Sequence, residues 1–329
     1  MKAPTIKLDQ KDKKLIYELD IDSKQSASSL AKQIGISKQG CTLKINNLQK
    51  KGVIKSFLTV INTPVIGDLS FRMYFKLIDM SPEKEKEFVN YFINHTSVPW
   101  VVATEGLWDY VIVVFPHTFE DFEKFSTALN NKYGSFVEKK EIALVTKAMH
   151  FRAGYMLGKK RDLRPFIYAG QPKNVAKLDI LDKQILTILA INSRTPIINI
   201  ARELKTNAKN ISYRIDKLKK ENVIEGYTIT VDLEKIGFER YKVFIRTKNT
   251  NNETEKKFIE YSRMHPYILY YSTSIGVNDV ELELVVKNNT HLREVIDELK
   301  INFHHIIKSY EIMKIYKEYK LNYYPEGKK

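Results

Sequence analysis

Two stretches of the sequence place basic, amide and hydroxyl side chains at helical spacing, a combination that suits contact with DNA. They are SKQGCTLKINNLQKKGVI, residues 37–54, and NAKNISYRIDKLKKENVI, residues 207–224. Lysine and arginine neutralise phosphates or bond to guanine, asparagine and glutamine pair with adenine, and hydroxyl groups serve either purpose. We predict these contact residues: Ser37, Lys38, Gln39, Thr42, Lys44 and Asn46 in the first stretch, and Asn207, Lys209, Asn210, Ser212, Tyr213, Arg214 and Lys217 in the second.

The opposite side of each stretch carries an apolar stripe at positions i, i+4 and i+7. Cys41 lies on the first stripe and Ile211 takes its place on the second, so Cys41 is interpreted as a core residue and not as a reactive thiol. A lysine-rich face can also be ordinary solvated surface, but the recurrence of stripe and cap in both stretches favours DNA contact. Asp216, Glu221 and Glu225 weaken the attraction of the second stretch for phosphate.

Each stretch contains the third of three short predicted helices, with its capping residue first. Asp9 and Ser37 can cap the first and third helices, because their side-chain oxygens can accept amide hydrogens of the opening turn. Residues 35–38, between the second and third helices, have the length of the turn in a helix-turn-helix. Asp179 and Asn207 repeat the two caps in the later stretch.

A constant shift of 170 residues (207 − 37 = 170) aligns nearly the whole chain with itself without a gap. The segment KLDQKDKKLIYEL at 7–19 matches KLDILDKQILTIL at 177–189, and Asp109 falls on Asp279. A shared register over this length indicates duplication of one folding unit of about 150 residues, because solenoid repeats have periods of about 20 to 50 residues.

The second part of each repeat changes to strand-like patterns, beginning with LSFRMYFKLI at 69–78 and RYKVFIRT at 240–247. The predicted order is strand, helix, two strands, helix, strand, which is that of a ferredoxin-like sandwich with both helices on one face of an antiparallel sheet. A second copy of the domain is expected to cover the other face. We assign these aromatic residues to that other face: Trp100, Tyr110, Tyr270 and Tyr271.

The sequence therefore predicts an α+β chain in which two winged-helix-type helix-turn-helix domains and two ferredoxin-like βαββαβ sandwich domains form a tandem repeat. The predicted boundaries are 1–60 and 61–154 for the first pair of domains, 155–176 for a linker, and 177–230 and 231–325 for the second pair. We call residues 1–154 unit one and residues 177–325 unit two. The linker contains Pro165 and Pro172 and is expected to be ordered or semi-ordered.

Composition points to a polyanionic partner. The 329 residues carry a net charge of +15 with a pI near 9.4, and 43% of them are hydrophobic. Double-stranded DNA is the partner we expect, with simple solubility as the alternative explanation of the charge. We find no signal peptide and no apolar run long enough for a membrane helix, and therefore expect a cytoplasmic protein without a membrane partner. A single cysteine and scattered histidines predict no metal site and no cofactor.

Several segments resemble the Lrp/AsnC family of transcription regulators. They are LDQKDKKLIYEL, SLAKQIGISKQGCTLKINNLQKKGVIKSF and the βαββαβ region after them, together with unit two from residue 178 onward. The family usually has one such unit per chain, paired through its sheet domains, which are of the RAM type. The resemblance therefore implies a covalent pseudo-dimer that regulates transcription, with sheet domains that associate within the chain or between chains.

The resemblance also implies an effector, usually an amino acid, held near the turn between the second and third strands of the sheet domain. The positions matching that turn are Gly106, Asp109 and Tyr110 in unit one, and Gly276 and Asp279 in unit two. A tight turn offers backbone amides to a carboxylate, and an aspartate can bind an ammonium group. Glycine and aspartate are also simply common in turns.

Two other functions stay open. An architectural protein that compacts DNA with little sequence preference fits the net charge nearly as well. The siroheme decarboxylases share the two-part unit and can occur as fused pairs, and a tetrapyrrole pocket would draw on His150, Arg152 and Tyr155. No nucleophilic triad, phosphate loop or dinucleotide motif supports another enzyme class, so we predict no catalytic residues and no enzymatic activity.

Overall fold

The computed structural model describes residues 5–161, 163–170, 175–248 and 251–324. The outer ends of the first and last predicted domains, residues 249 and 250, and part of the linker including Pro172 lie outside the described residues.

The two units repeat the same order of elements. Unit one contains α1 (Gln10–Ile21), α2 (Ala27–Ile34), α3 (Lys38–Lys50), β1 (Ile54–Ile61), β2 (Phe71–Leu77), α4 (Pro82–Asn94), β3 (Trp100–Glu105), β4 (Tyr110–Val114), α5 (Phe119–Tyr133) and β5 (Val137–His150). The linker contributes β6 (Phe166–Ala169). Unit two contains α6 (Ile180–Ile191), α7 (Ile197–Glu203), α8 (Ala208–Lys220), β7 (Ile224–Val231), β8 (Glu239–Thr247), α9 (Asn252–Met264), β9 (Ile268–Ile275), β10 (Val280–Val286), α10 (Asn289–Phe303) and β11 (Ile307–Leu321). The predicted α+β class and tandem organisation are confirmed.

The predicted helix caps are also confirmed. The Asp9 carboxylate accepts a hydrogen bond from the Asp12 amide at the start of α1, and Asp179 does the same for Asp182 in α6. Ser37 caps α3 in the same way. Each cap satisfies amide groups that have no partner inside the helix, so the start of each helix is fixed locally.

The strand that follows each helix-turn-helix pairs with its counterpart in the other unit. β1 and β7 form a two-stranded antiparallel ribbon in which Leu58 lies opposite Thr228. Each helix-turn-helix then packs partly on the other unit: Ile229 joins the core of the first domain, and Leu58 and Val60 join that of the second. The pairing of β1 with β7 therefore joins the two units on the side of the helix-turn-helix domains.

The two ferredoxin-like sheets join at their edges into a ring of eight strands. β3 pairs with β11, and β5 pairs with β9, while β2 and β5 close unit one's own sheet. Within each unit the order is that of a ferredoxin-like fold, β5-β2-β4-β3 and β11-β8-β10-β9. The helices lie outside the ring, and a shared core fills the space between the sheets. The expectation that a second copy covers the open sheet face is met inside one chain.

Of the four aromatic residues predicted to lie on that face, two do so and two do not. Trp100 lies in the core between the sheets, and Tyr270 lines a cavity there. Tyr110 and Tyr271 instead belong to the cores beneath the helices. Neighbouring side chains of a strand point to opposite faces, so Tyr270 and Tyr271 could not share one. No described helix combines the length and apolar character needed to cross a membrane.

Candidate nucleic-acid interface

The apolar stripe of α3 is buried and its opposite face is open, as the helical spacing predicts. Cys41, Ile45 and Leu48 pack in the core of the first helix-turn-helix. Most of the predicted contact residues of this helix are exposed: Ser37, Lys38, Gln39, Thr42 and Asn46. The exposed set provides a lysine, two amides and a hydroxyl beyond the cap, which is the chemistry required to bind base edges and phosphates.

Lys44 is the exception on α3, because its ammonium group is bound within the domain. Its Nζ lies 2.8 Å from a carboxylate oxygen of Asp9 and 2.8 Å from one of Asp12. Burial acts to lower the pKa of Lys44, but the hydrogen bonds to Asp12 and Asp9 outweigh it and raise that pKa. The interaction ties α3 to the cap of α1, and it competes with the predicted contact between Lys44 and DNA.

Arg214 repeats this arrangement on α8. Its NH1 atom lies 2.7 Å from Asp179 and 2.8 Å from Asp182, and its Nε donates to the Asn210 side chain at 3.3 Å. Lys217 lies 3.9 Å from Asp182. Three of the predicted contact residues of α8 therefore also hold the domain together.

The remaining predicted residues of α8 form a more open surface. Asn207 and Lys209 are exposed, Ser212 is half-buried, and the Tyr213 side chain is 68% exposed. Asn207 also caps the helix through the Asn210 amide at 2.8 Å. The open part of this second face therefore offers a lysine and a large aromatic ring.

The sequence reasoning missed Leu43 and Asn47, which are exposed on α3 next to the predicted residues. Leu43 is 62% exposed and is related by the 170-residue shift to Tyr213. Its side chain lacks the polar groups that predict DNA contact, although its position two residues after Cys41 places it away from the buried stripe. An apolar side chain in this position can contact the methyl group of thymine.

The two helix-turn-helix domains touch each other directly. The Ser23 amide donates to the Tyr227 carbonyl at 3.1 Å, and the Ser193 amide donates to Phe57 at 2.9 Å. Arg194 crosses between the domains and donates through Nε to the Ser23 carbonyl at 2.6 Å. Together with the β1–β7 ribbon, these bonds hold α3 and α8 in one frame instead of leaving them on flexible arms.

The effector turn predicted in unit one borders a cleft of about 380 Å³. Asp109 accepts bonds from the Leu77 amide and the Lys76 ammonium, both at 2.7 Å. The Tyr110 hydroxyl donates to Glu85 at 2.6 Å, and burial, with this bond, raises the pKa of Tyr110. Acidic residues therefore dominate the cleft, to which Glu105 and Asp79 also contribute.

The corresponding turn of unit two is packed differently. Gly276 has a φ of +120°, and a Cβ atom there would lie 2.8 Å from the Ile142 carbonyl oxygen, so only glycine fits. Gly106, with a φ of +117°, has more room, since its nearest neighbour is 3.7 Å away. Asp279 accepts from the Thr247 amide at 2.7 Å. The two turns are not equivalent, and effector binding at either stays a prediction.

The candidate tetrapyrrole residues are buried, and none of them lines the unit-one cleft or the cavity between the sheets. His150 stacks on the Tyr270 ring at 4.6 Å, and Arg152 lies over the Phe166 ring at 3.5 Å. Burial, with the charge of Arg152, lowers the pKa of His150. No group of three or more metal-ligating side chains occurs within the described ranges.

Comparison with known proteins agrees with this geometry. A family model for the AsnC-type helix-turn-helix domain matches residues 178–219, and one for a winged helix-turn-helix DNA-binding domain matches residues 8–55. The HTH-type transcriptional regulator PH0061 of Pyrococcus horikoshii is 33% identical over 110 residues, which are 33% of this chain and 73% of that protein. The regulator LysM of Saccharolobus solfataricus is 30% identical over 131 residues, 38% of this chain and 85% of LysM.

One solved structure matches both units together. The siroheme decarboxylase NirDL aligns with a TM-score of 0.60 over 95% of this chain and 93% of its own, at 12% identity. At that identity the similarity concerns the fold alone.

The matched family models and regulators, together with the exposed third helices, identify a DNA-binding transcription regulator. The chain belongs to the Lrp/AsnC family, with two family units in one polypeptide.

Proposed function

We propose that the chain binds a non-palindromic DNA site as a covalent pseudo-dimer, with α3 and α8 in successive major grooves. The observation that carries the proposal is the fixed connection between the two helix-turn-helix domains through the β1–β7 ribbon. A fixed frame sets the spacing of the two half-sites, which in such proteins is about one helical turn or a multiple of it.

The two helices differ where they are exposed, so the two half-sites should differ as well. α3 offers Gln39 and Asn46, whereas α8 offers Lys209 and Tyr213. Asp216 is exposed on α8 and repels phosphate. A family member built from two identical chains reads a palindrome, and joining two non-identical units removes that constraint.

A titration by fluorescence anisotropy tests the proposal. The protein is titrated against DNA from its own promoter and against a shuffled version, over a salt series. Tighter binding to the native sequence that persists at physiological salt supports a specific regulator, because the phosphate contribution weakens steeply with salt. Equal binding that disappears with salt favours the architectural alternative, and no binding at low salt contradicts both.

Point variants then locate the reading surface. Gln39→Ala and Asn46→Ala should each weaken specific binding by about 1–3 kcal/mol and relax preference in one half-site. Asn131→Ala, on the exposed side of α5, is the matched control, since it makes the same truncation far from the helix-turn-helix domains. Unchanged binding by both α3 variants would mean that another surface reads DNA.

We further propose that an effector acts at the unit-one cleft beside Asp109 and Tyr110. Support comes from its volume of about 380 Å³, which lies in the range of ligand pockets of about 300–1,000 Å³. The acidic lining favours the amino group of an amino acid over its carboxylate. Screening amino acids for a shift in the DNA titration, with Asp109→Asn as the variant, tests this directly.

The decarboxylase alternative fits the chain less well. The solved NirDL structures include a complex with an iron-uroporphyrin III analogue. The cavity between the sheets of this chain has a volume of about 50 Å³, which is too small for a macrocycle, and His150 does not line it. We therefore propose that the chain is not a decarboxylase. Appearance of a shifted Soret band on titration with haem would overturn this.

A further inference from the structure

The small cavity between the sheets has walls of unusual composition for the inside of a strand ring. Its volume is about 50 Å³, and a single water needs about 10 to 15 Å³ of such volume. It can therefore hold several waters or a ligand of a few non-hydrogen atoms. Aromatic rings of Trp100, Tyr168 and Tyr270 form one part of the wall, and charged side chains form another.

The first charged group contains two cations and one carboxylate. Arg72 and the Lys242 ammonium both bind Glu281, the latter at 3.0 Å, and all three side chains are almost completely buried. The Tyr74 hydroxyl donates to the same carboxylate. Burial is the main cause that lowers the pKa of Lys242; the charge of Arg72 adds to it, and Glu281 and Glu283 oppose it.

The second charged group has one cation and two carboxylates, so negative charge is in excess there. Arg240 bonds to Glu283 at 2.6 Å and to Glu318 at 2.8 Å. Trp100 donates through its indole nitrogen to Glu318 at 2.9 Å. An anionic ligand would therefore be attracted to the Arg72 side of the cavity and not to this one.

The carboxylates of the cavity wall are confined to unit two. The 170-residue shift relates Glu281 to Val111 and Glu283 to Val113, so the same strand positions of unit one are apolar. Replacing a buried ion group by apolar residues is often neutral or stabilising. The shift also relates Arg72 to Lys242, so the two cations are counterparts from the two units, and the single carboxylate of Glu281 serves both. This group therefore keeps one cation in excess.

One donor in the wall still lacks a partner. Among the described residues, the Nε atom of Arg72 is buried without a hydrogen bond, whereas its NH1 donates to Ser272 at 3.2 Å. Buried donors are almost always satisfied. We infer that the cavity binds a small monocarboxylate, whose oxygen accepts a hydrogen bond from Arg72 Nε and whose short apolar part contacts Trp100 and the tyrosine rings. A bound carboxylate would satisfy the donor and offset the second cation.

Tryptophan fluorescence of the full chain reports on this site. Trp100 lines the cavity, and Trp108→Phe leaves it as the only tryptophan of the sequence. We expect sodium propionate to change the emission in a saturable way, and sodium chloride at the same ionic strength to leave it unchanged. Absence of a saturable response to propionate, or an equal response to chloride, overturns the inference. The test involves no DNA, so it is independent of the proposed function.

A cavity-filling variant decides where the probe binds. Val113→Phe fills the cavity without removing a charge, and we expect it to raise the apparent Kd for propionate by about tenfold or more. Val175→Phe makes the same change at an exposed position and should leave the Kd unchanged. If Val113→Phe does not fold, Val113→Leu replaces it, with a smaller rise expected. A folded variant that binds propionate like the parent contradicts the inference.

Discussion

The hydroxyl oxygens of Ser23 and Ser193 lie 2.8 Å apart in a completely buried hydrogen bond. The two residues are repeat counterparts (193 − 23 = 170). A residue can touch its own counterpart only close to an internal two-fold axis, so this bond marks the axis between the helix-turn-helix domains. The pair formed by Leu58 and Thr228 in the β1–β7 ribbon obeys the same shift (228 − 58 = 170) and lies on the same axis.

Removal of one serine at the axis should lower the unfolding free energy by more than half of what removal of both serines does. Ser23→Ala or Ser193→Ala leaves a buried hydroxyl without a partner, a cost of about 1–3 kcal/mol. The double variant removes both groups, so its loss of unfolding free energy should be smaller than the sum of the single losses. Urea unfolding of the four proteins gives this coupling, with the exposed Ser135→Ala as control. Strict additivity would show that the two hydroxyls do not interact.

Lys44 should matter more for stability than for DNA affinity. Lys44→Ala removes two partly exposed ion pairs with Asp9 and Asp12, each worth about 0.2–1 kcal/mol. The fully exposed Lys38 is the matched comparison on the same helix, and Lys38→Ala should weaken DNA binding with little change in stability. Thermal unfolding and anisotropy titration are measured for both. If Lys44→Ala loses more affinity for DNA than Lys38→Ala at an equal folded fraction, Lys44 contacts DNA.

The ion pair between Lys44 and Asp9 also makes a specific contribution to the pH dependence of stability. The hydrogen bond from Lys44 lowers the pKa of Asp9 in the folded chain. A carboxylate with a lowered pKa contributes stability above its unfolded pKa and loses it as the pH falls through the folded value. The difference in stability between the parent and Lys44→Ala should therefore decrease in the acid range, below about pH 4.

Leu43 and Tyr213 should contribute to DNA recognition without contributing to the fold. Both side chains are more than half exposed at equivalent positions of α3 and α8. Leu43→Ala and Tyr213→Ala should each weaken binding by about 1 kcal/mol or more, with reduced preference for thymine in the corresponding half-site. Binding selections from random DNA measure that preference. The exposed Ile301→Ala on α10 provides the control for loss of an apolar surface group.

Local chemistry explains which parts of the fold were predictable. The caps at Asp9 and Ser37 and the buried stripe through Cys41 depend on residues a few positions apart, and the structure confirms them. The duplication was visible because both repeats keep the same register. By contrast, the sequence of β1 does not show whether this strand pairs within its own unit or with β7 of the other unit, since β1 and β7 are repeat counterparts with similar patterns.

The candidate site was less predictable for the same reason. Asp9 was recognised at the start of a helix, but the contact of Asp9 and Asp12 with Lys44 depends on packing across more than 30 residues of chain. In the sequence, a basic side chain on the solvent-facing half of a helix gives the same pattern whether it binds a phosphate or a neighbouring carboxylate. The exposed Leu43 shows the opposite error, because polarity alone does not identify a DNA-contacting residue.

Lys160 of the linker should make the stability of the chain depend on pH. Its ammonium group donates to the carbonyls of Ser262 and Ile268. Burial lowers its pKa to about 7, with Asp20 opposing and Arg152 assisting the shift. The unfolded chain then binds more protons above pH 7, so this residue's contribution to stability rises from about pH 7 to its unfolded pKa of about 10.4.

A difference measurement isolates that contribution. Between pH 7 and pH 9, the free energy of unfolding of the parent should rise by about 1–3 kcal/mol relative to Lys160→Met. Urea unfolding of both proteins at each pH gives this difference, while Lys159→Met controls for loss of one linker charge. Parallel pH profiles for the parent and Lys160→Met would mean that Lys160 titrates normally when folded.

The buried charges at Arg72, Lys242 and Glu281 give the last prediction. Glu281→Val introduces the residue type of its counterpart Val111, but it leaves two buried cations without their carboxylate, a loss of about 3–5 kcal/mol. The triple variant with Arg72→Met and Lys242→Met should recover most of that loss, because an apolar group of similar size is tolerated where a lone charge is not. Urea unfolding measures both.

The same triple variant separates stability from ligand binding. If the charges serve a carboxylate, the recovered protein should fold and bind DNA like the parent while Trp100 no longer responds to propionate. If the triple variant is as unstable as Glu281→Val, the charges are needed for packing between the sheets, and the carboxylate between the two counterpart cations has a structural role. A triple variant that is stable and still responds to propionate would place the carboxylate site elsewhere in the chain.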